Sequence, residues 1–441
     1  MRSRSIAALF ALALAASPVP ADAAPLRPVE RRAVAAVRGQ VPGAIELLRQ
    51  LVERNSGTLN TEGVRAVGAM LAPRFAALGF TTRWADGAAF GRAGHLVATR
   101  RGTHARLTVL FIGHLDTVFD ADSPFQHFTV QPDSTATGPG VADMKGGDVV
   151  MLVVLRALAD AGVLEQLDVR VVLDGDEEHA GMPRELSRRD LIEAARGCDV
   201  VFGFEDGAGD PAQAVVARRG SLSWTLSVSG HRAHSSQIFR ESVGAGAVFE
   251  AARILQAFRD SLGGEPHLTF NPGLVLGGSD VATEPGLVRG IASGKSNVVP
   301  ETTLVRGDLR ALTPEQFAHA TDVMTRIVGR HLPGTAATIE FGDSYPPLAP
   351  GPGHDALLAV FDGASRDLGY GPVRATNPDD AGAADISFVG DWVPMALDGV
   401  GLAGSGGHSV HEQADLRVLG ENAERIALTL IRLCERSRTT P

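Results

Sequence analysis

Short, continuously apolar runs that alternate with helix-like segments are the feature that most limits the possible folds of this chain. The runs "HARLTVLFIGH" (104–114) and "LDVRVVLDG" (167–175) are rich in β-branched residues, and "GGDVVMLVVLRALADAG" (146–162) has the length of a helix between them. Strands that are apolar on both faces are typical of parallel sheets covered by helices on both sides. The pattern therefore predicts an α/β fold with a mostly parallel central sheet.

The pattern changes near residue 217, where "SLSWTLSVSG" (221–230) alternates strictly between apolar and polar residues. Such alternation is typical of a strand with one wet face. Further alternating strands follow, together with helices predicted at about 243–262 and from Thr313 onwards, which indicates a smaller α+β domain. Because α/β character returns after the linker-like "YPPLAPGPG" (345–353), the smaller domain is expected to interrupt the larger one.

The predicted organisation thus has two domains, built from three chain segments, after a leader. The main domain is built from residues 30–216 and 345–441, and the inserted domain spans 217–344. The leader has arginines at positions 2 and 4, an apolar run over 6–16 and a small-x-small site at 21–23. These features predict a signal peptide over 1–23 and a secreted protein, with the periplasm as the expected compartment; an uncleaved anchor is the alternative.

The charge of the chain limits its partners. The formal net charge is −10, so the chain has no excess of basic residues. This argues against binding to nucleic acid and to anionic membrane surfaces. No stretch beyond the leader is apolar for long enough to cross a bilayer, so no membrane contact is expected after signal cleavage. The two cysteines, Cys198 and Cys434, are too few for a disulfide framework, and the sequence leaves a single bridge open.

Histidine and carboxylate residues recur with glycine where the apolar runs end. The five segments are "GHLDTVF" (113–119), "GVADMKGG" (140–147), "DGDEEHAG" (174–181), "GFEDG" (203–207) and "GSGGHSVHE" (404–412). Each alone has an ordinary interpretation as a structural histidine or a solvated turn, and His411 with Glu412 could begin a helix. Together they are expected to meet at the carboxyl edge of a parallel sheet. Histidines with several carboxylates suit zinc, manganese or cobalt, including a pair of metals bridged by one carboxylate.

In this order, the five segments resemble the motif set of the M20 family of dinuclear zinc peptidases, which includes glutamate carboxypeptidases, aminoacylases and succinyl-diaminopimelate desuccinylase. The resemblance extends from about residue 40 to the end of the chain. It implies two zinc ions per subunit, with cobalt or manganese as possible substitutes. One zinc would be held by His114, Asp143 and Glu205, and the other by Asp143, Glu178 and His408, with Asp143 as the bridge.

The same resemblance assigns two roles next to the ligands. Asp116 corresponds to the acid that orients the first-site histidine, and Glu177 corresponds to the general base that activates a metal-bridging water. The third-ligand segment offers both Glu205 and Asp206. In this family glutamate there goes with carboxypeptidases and deacylases, whereas aspartate goes with several aminopeptidases and dipeptidases, and the form of "GFED" favours Glu205.

The inserted domain resembles the family's lid, which covers the active site and commonly mediates dimerisation. In "SGHRAHSS" (229–236), His234 matches a histidine that reaches the active site of the opposite subunit and stabilises the oxyanion. Asn297 and Arg310 match a substrate-binding pair, and an arginine is well suited to grip a terminal carboxylate. The alternatives are a loop histidine and a structural salt bridge. Asp385 is a looser match to a residue that lines the site.

The expected function is that of a secreted zinc hydrolase that cleaves an amide bond next to a free carboxylate. Its substrate would be a small peptide or an N-acyl amino acid, and a homodimer through the inserted domain is expected. An aminopeptidase or dipeptidase of the same family is one alternative. A non-catalytic metal-containing binding protein is another, although Glu177 would have no evident role in it.

Overall fold

A central sheet of six strands forms the larger part of the protein. The computed structural model describes residues 24–284 and 289–437, so the predicted signal peptide at 1–23 lies outside the described residues. In spatial order the strands are β1 (Thr81–Asp86), β2 (Gly94–Arg100), β6 (Leu167–Asp174), β3 (Leu107–His114), β7 (Val200–Gly203) and β16 (Met395–Leu397). The last four of these are parallel, and β1 and β2 add an antiparallel edge.

Helices cover both faces of this sheet. They are α1 (Pro28–Val52), α2 (Thr61–Ala76), α3 (Lys145–Asp160), α4 (Arg184–Ser187), α5 (Arg189–Ala195), α8 (Pro352–Leu368) and α9 (Leu416–Arg436). Along β3, Val109 and Phe111 belong to the hydrophobic core shared with α1, α3 and α9, whereas Leu110 and Ile112 belong to a second core that includes Leu191 of α5. Burial on both faces explains why the strand is continuously apolar. The predicted α/β fold with a mostly parallel sheet is confirmed.

The inserted part contains a separate antiparallel sheet with a core of its own. Its strands in spatial order are β10 (Thr269–Gly278), β13 (Thr302–Ala311), β9 (Gly220–Gly230) and β14 (Thr335–Tyr345), and its helices are α6 (Ala247–Leu262) and α7 (Pro314–Val328). Trp224 of β9 meets Phe258 of α6 edge to face, with 6.0 Å between ring centroids. One buried face explains the alternation in the sequence. The boundaries at 217 and 344 remain a prediction.

The first helix of the inserted part begins later than expected. The sequence pattern predicts a start near 243, but α6 begins at Ala247. Gly244 and Gly246 both have a φ of 76°, a left-handed conformation that glycine adopts without steric cost and that interrupts a right-handed helix. Two glycines therefore delay the helix by one turn.

Short strands complete both parts of the structure. They are β4 (Thr129–Val130), β5 (Thr135–Thr137), β8 (Gln213–Ala214), β11 (Asp280–Thr283), β12 (Gly290–Ser293), β15 (Arg374–Ala375), β17 (Gly404–Ser405) and β18 (Gln413–Asp415). Two of them, β11 and β12, lie beside the inserted sheet. The β17–β18 hairpin carries His408. Cys198 and Cys434 are both buried, and no disulfide joins them. Among the described residues, no helix has both the length and the apolar composition that a membrane span needs.

Candidate metal centre

One carboxylate, that of Asp143, lies between two histidines from distant parts of the chain. His114 ends β3 and places its Nε2 atom 3.2 Å from Oδ1 of Asp143, while Nε2 of His408 lies 3.2 Å from Oδ2. Burial alone would raise the pKa of Asp143, but the two imidazoles outweigh this effect and lower it below its ordinary value. Each oxygen of Asp143 therefore faces a different histidine.

A second glutamate accompanies each histidine. Oε2 of Glu178 lies 3.1 Å from Nε2 of His408, and Oε1 of Glu205 lies 3.7 Å from Nε2 of His114. The neighbouring Asp206 makes no side-chain hydrogen bond or ion pair within residues 24–284 and 289–437. The geometry thus favours Glu205 over Asp206 as the third ligand of the first site.

The five side chains fit a pair of divalent cations. Oε1 of Glu178 is buried and has no hydrogen-bond partner in the described part of the chain, which is costly unless a cation satisfies it. Burial raises the pKa of Glu205 well above its ordinary value, and His114 opposes this only in part. Two imidazoles and three carboxylates provide the donor types that zinc, cobalt and manganese accept. The His408 side chain is 63% exposed, so the site opens to solvent on that side.

Asp116 supports both the first histidine and the loop that follows β6. Its carbonyl oxygen lies 3.1 Å from Nδ1 of His114, a contact that orients the ring and leaves Nε2 free to bind a metal. Its carboxylate accepts the backbone amides of Glu177 and Glu178 at 3.1 and 3.2 Å, and the hydroxyl of Thr58 at 2.6 Å. The main-chain carbonyl is thus the nearer group to Nδ1 of His114, Oδ1 of Asp116 lies 3.5 Å from the same atom, and the carboxylate also holds the backbone of the two glutamates.

The adjacent residues Glu177 and Glu178 occupy different environments. Glu178 pairs with His408, whereas the Glu177 carboxylate makes no hydrogen bond among the described residues. Burial raises the pKa of Glu177 to about 8; His114 lowers it and the charge of Glu178 raises it further. A half-buried carboxylate without a hydrogen-bond partner in the described part of the chain, beside a metal-ligand cluster, is suited to accept a proton.

Residues 110–432 match the peptidase family M20/M25/M40. The chain belongs to this family. It is therefore a metal-dependent hydrolase, as the donor cluster independently indicates.

Relatives of this M20 enzyme include a carboxypeptidase and a desuccinylase. Carboxypeptidase G2 of Pseudomonas sp. (strain RS-16) is 25% identical over 384 residues, which cover 85% of each chain. Succinyl-diaminopimelate desuccinylase of Halorhodospira halophila is 27% identical over 362 residues, covering 78% of this chain and 86% of the relative. These matches extend over most of both chains.

Solved structures share the fold at lower identity. A tripeptidase from Staphylococcus aureus superposes with a TM-score of 0.70 at 20% identity, covering 89% of this chain and 98% of the other. The M20 metallo-carboxypeptidase of Sulfolobus solfataricus gives 0.63 at 16% identity, covering 88% and 98%. The similarity supports the mixed α/β fold with a mostly parallel central sheet.

Glu412 is a residue of the M20 site that the sequence interpretation missed. Its fully buried carboxylate accepts the backbone amides of Gly140, Ala142 and Asp143 at 3.0, 2.9 and 3.1 Å. The interpretation of His411 and Glu412 as a helix start is wrong, because Asp415 caps α9 instead. Glu412 connects the loop of one metal ligand to the loop of another. The four-residue spacing from His408 is the only signal in the sequence that could have indicated it.

A second buried acid cluster lies behind the M20 site. Nδ1 of His95 is 2.9 Å from Oδ1 of Asp174 and 3.9 Å from Oδ1 of Asp176, distances that a metal could also satisfy. The guanidinium of Arg188 lies 2.7 Å from both Asp176 and Asp385. Burial raises the pKa of Asp385 well above its ordinary value, and the charge of Arg188 opposes this shift. Because Arg188 and His95 pair directly with these acids, the geometry favours a structural network.

Two predicted residues of the inserted part, His234 and Asn297, form a separate group. His234 accepts the Ser236 amide through Nδ1 at 3.3 Å, and the Ser235 amide donates to the carbonyl of Asn297 at 2.9 Å. Within the described ranges, neither His234 nor Asn297 makes a side-chain hydrogen bond or ion pair with the five ligands. The structure brings these two residues together without joining them to the metal centre of the same chain. Asp385, the looser match, is buried behind the site rather than exposed in it.

Proposed function

We propose that this M20 enzyme is a secreted zinc hydrolase that cleaves an amide bond next to a free carboxylate, as a carboxypeptidase or an N-acyl-amino-acid deacylase. The observation that carries the proposal is the position of Asp143 between His114 and His408, with the unpartnered Glu177 beside them. A shared carboxylate and a nearby base are the parts that metal-assisted amide hydrolysis needs.

The ligand residues divide into two sets that share Asp143. His114 and Glu205 would complete the first, and Glu178 and His408 the second. Zinc bound there would polarise the scissile carbonyl and make water easier to deprotonate. Glu177 would take the proton from the attacking water onto its carboxylate and return it to the leaving nitrogen. Asp116 would keep the loop of Glu177 in place through its two amide contacts.

Arg310 supports recognition of a free carboxylate. Its Nε atom binds Asp308 at 2.9 Å, but its two Nη atoms have no hydrogen-bond partner among residues 24–284 and 289–437. Nη1 lies 4.0 Å from the position that a Cβ atom would take on Gly382, so the side chain of this lid residue reaches the main domain. Two free N–H groups in a planar fork match a carboxylate. The names of the two relatives, a carboxypeptidase and a desuccinylase, favour the same substrate class.

A homodimer through the inserted part belongs to the proposal. Five apolar side chains there are at least 43% exposed: Phe239, Val248, Phe249, Val275 and Ile291. The rings of Phe239 and Phe249 contact each other, with 5.5 Å between centroids. Covering exposed apolar side chains favours association, and in a dimer His234 and Asn297 would extend to the active site of the partner subunit. Light scattering after size exclusion is expected to give twice the monomer mass, and a monomer would contradict this part.

The leader supports secretion, with cleavage after residue 23. Expression of the full chain in a Gram-negative host and fractionation are expected to give periplasmic protein that starts at Ala24. Cytoplasmic protein with an intact leader would contradict secretion.

The substrate proposal is tested with paired dipeptides and zinc-loaded protein. One dipeptide has a blocked amine and a free carboxylate, and the other has a free amine and an amidated carboxyl group. Hydrolysis of the first is expected. Hydrolysis of the amidated dipeptide alone would instead support the aminopeptidase or dipeptidase alternative, and no hydrolysis of any peptide or N-acyl amino acid would support a binding protein.

Arg310→Gln provides a second test of carboxylate recognition. We expect KM to rise by about tenfold or more, because a charged hydrogen bond contributes about 1.5–3 kcal/mol. Arg306→Gln is the matched control, since Arg306 lies on the same strand and the same face of β13. An equal change in both variants would contradict the role of Arg310.

A further inference from the structure

Arg188 uses all of its hydrogen-bond donors behind the active-site loop. The side chain is buried, its Nε donates to Asp385 and its Nη1 donates to Asp176, both at 2.7 Å, and Nη1 also donates to the Ser187 hydroxyl. Nη2 donates to the carbonyl of Asp176 at 3.1 Å and to the hydroxyl of Tyr345 at 3.2 Å. A guanidinium has five N–H donors, and five contacts hold it rigidly.

Tyr345 continues this network to the proposed base. It is the last residue of β14, the strand by which the chain leaves the inserted sheet. Its hydroxyl accepts from Arg188 and donates to the carbonyl oxygen of Glu177 at 3.2 Å. Arg184 lies over the Tyr345 ring, with 4.4 Å to its centroid, and donates to the carbonyl of Ser344 at 2.7 Å. The end of β14 is therefore attached to the loop that follows β6.

The backbone of Glu177 is consequently held at both ends. Its amide donates to Asp116 of the main domain, and its carbonyl accepts from Tyr345 of the inserted sheet. Fixing both peptide groups of a residue limits the directions that its side chain can take. These two contacts come from different parts of the protein. The direction of the Glu177 side chain therefore depends on the position of the inserted sheet relative to the main domain.

We propose that Tyr345 is a positioning residue that couples the inserted domain to the general base through the Glu177 carbonyl. The proposal rests on the proposed function, in which Glu177 handles the proton. Arg310 lies on the same four-stranded sheet as Tyr345. A substrate carboxylate that binds to that sheet would therefore have a fixed position relative to the loop that carries the base.

The test is Tyr345→Phe in the full-length, metal-loaded enzyme, because this change removes only the hydroxyl and keeps the edge-to-face contact of the ring with Phe388 and its contact with Arg184. We expect kcat to fall by about threefold to tenfold, because this is the usual contribution of one hydrogen bond to the stability of a transition state. KM is expected to stay within about twofold, and bound metal to stay unchanged. The matched control is Tyr370→Phe, which alters the second of the chain's two tyrosines, whose hydroxyl donates to Glu424 at 2.8 Å.

A second measurement does not depend on activity. Hydrogen–deuterium exchange of a peptide covering residues 175–183 is expected to accelerate in Tyr345→Phe and to stay unchanged in Tyr370→Phe, since the loop amides lose a constraint. An unchanged kcat, an unchanged exchange rate, or equal effects in both tyrosine variants would overturn the proposal for Tyr345. If the parent enzyme hydrolyses no amide, the proposed function fails, and the exchange rates still decide whether Tyr345 holds the loop.

Discussion

The carboxylate of Glu412 accepts the backbone amide of Asp143 at 3.1 Å, so the loop that presents His408 also holds the loop that presents the shared ligand. Two further amides of the same loop, from Gly140 and Ala142, bind the same carboxylate. The amides of a glycine-rich turn form a concave anion site, and Glu412 fills it from within the protein. The relative position of two metal ligands therefore depends on one buried acid.

Glu412→Gln is expected to lower the metal affinity of the centre by about tenfold to 100-fold, the usual range for a residue that orients metal ligands. The amide is a weaker acceptor, and its NH₂ group would face the donors of the loop. Metal retained after dialysis against a weak chelator, measured by plasma mass spectrometry, checks this. Glu421→Gln, a half-buried glutamate on α9, is the control and should keep its metal. Equal metal loss in both variants would contradict the role of Glu412.

Substitution of the adjacent glutamates is expected to separate catalysis from metal binding. Glu177→Gln should retain both metals and lose turnover by about 10²-fold to 10⁴-fold, the contribution of a general base. Glu178→Gln should lose metal, because it removes a charged oxygen that lies 3.1 Å from His408. Metal analysis and steady-state kinetics on the same preparations check both results. Near-normal turnover in Glu177→Gln would exclude it as the base.

The pair Glu205 and Asp206 offers an internal control for the third ligand. Glu205→Gln is expected to weaken metal binding at the first site, since Glu205 lies 3.7 Å from His114. Asp206→Asn should leave the metal content unchanged, because its carboxylate makes no hydrogen bond to the cluster in the described part of the chain. Titration of the apo-protein with cobalt, followed by absorption spectroscopy, distinguishes the two variants. The reverse order of effects would transfer the ligand role to Asp206.

Metal removal is expected to abolish hydrolysis and lower the melting temperature. The buried acids of the centre repel one another when no cation is bound, and a cation that binds only the folded state stabilises it by about 2.7 kcal/mol at 100 times its dissociation constant. Differential scanning calorimetry with increasing free zinc checks this. Zinc, cobalt or manganese should restore activity after chelation. A melting temperature that does not respond to any of them would contradict a metal centre of these five residues.

Glu30 predicts a loss of stability in acid that is independent of the active site. Burial alone would raise its pKa, but hydrogen bonds from Arg27 and Arg432 outweigh this and lower the pKa to about 2. Because the folded-state pKa lies below the unfolded value of 4.5, the stabilisation is complete above pH 4.5 and disappears as the pH falls towards 2.

Glu30→Gln should therefore reduce the free energy of unfolding by about 3 kcal/mol at pH 7 and flatten its decline between pH 4.5 and 2. Urea unfolding of the apo-protein across this range measures it. Glu46→Gln removes an exposed glutamate that also binds an arginine, and it is expected to have little effect because solvent screens that pair. A parallel decline for the Glu30 variant and the parent would contradict the assignment.

The sequence by itself determined the sheet type, the segments of the metal centre and the separate character of the inserted domain. These features depend on local patterns. A strand buried on both faces must be continuously apolar, and residues that follow parallel strands must meet at the carboxyl edge of the sheet. For that reason the segments that contain His114, Glu178 and Glu205 could be placed together before any coordinates, whereas the choice of these residues as ligands came from the resemblance to the M20 family.

Only the tertiary structure decided which groups each side chain meets. The hydrogen bonds of Glu412, the five contacts of Arg188 and the contact between Tyr345 and Glu177 join segments that are distant in the chain. No periodicity connects such segments, because the partner of a buried polar group depends on how whole elements pack. The resemblance to the M20 family already favours Glu205 over Asp206, and in the tertiary structure the Glu205 carboxylate is the one that lies 3.7 Å from His114.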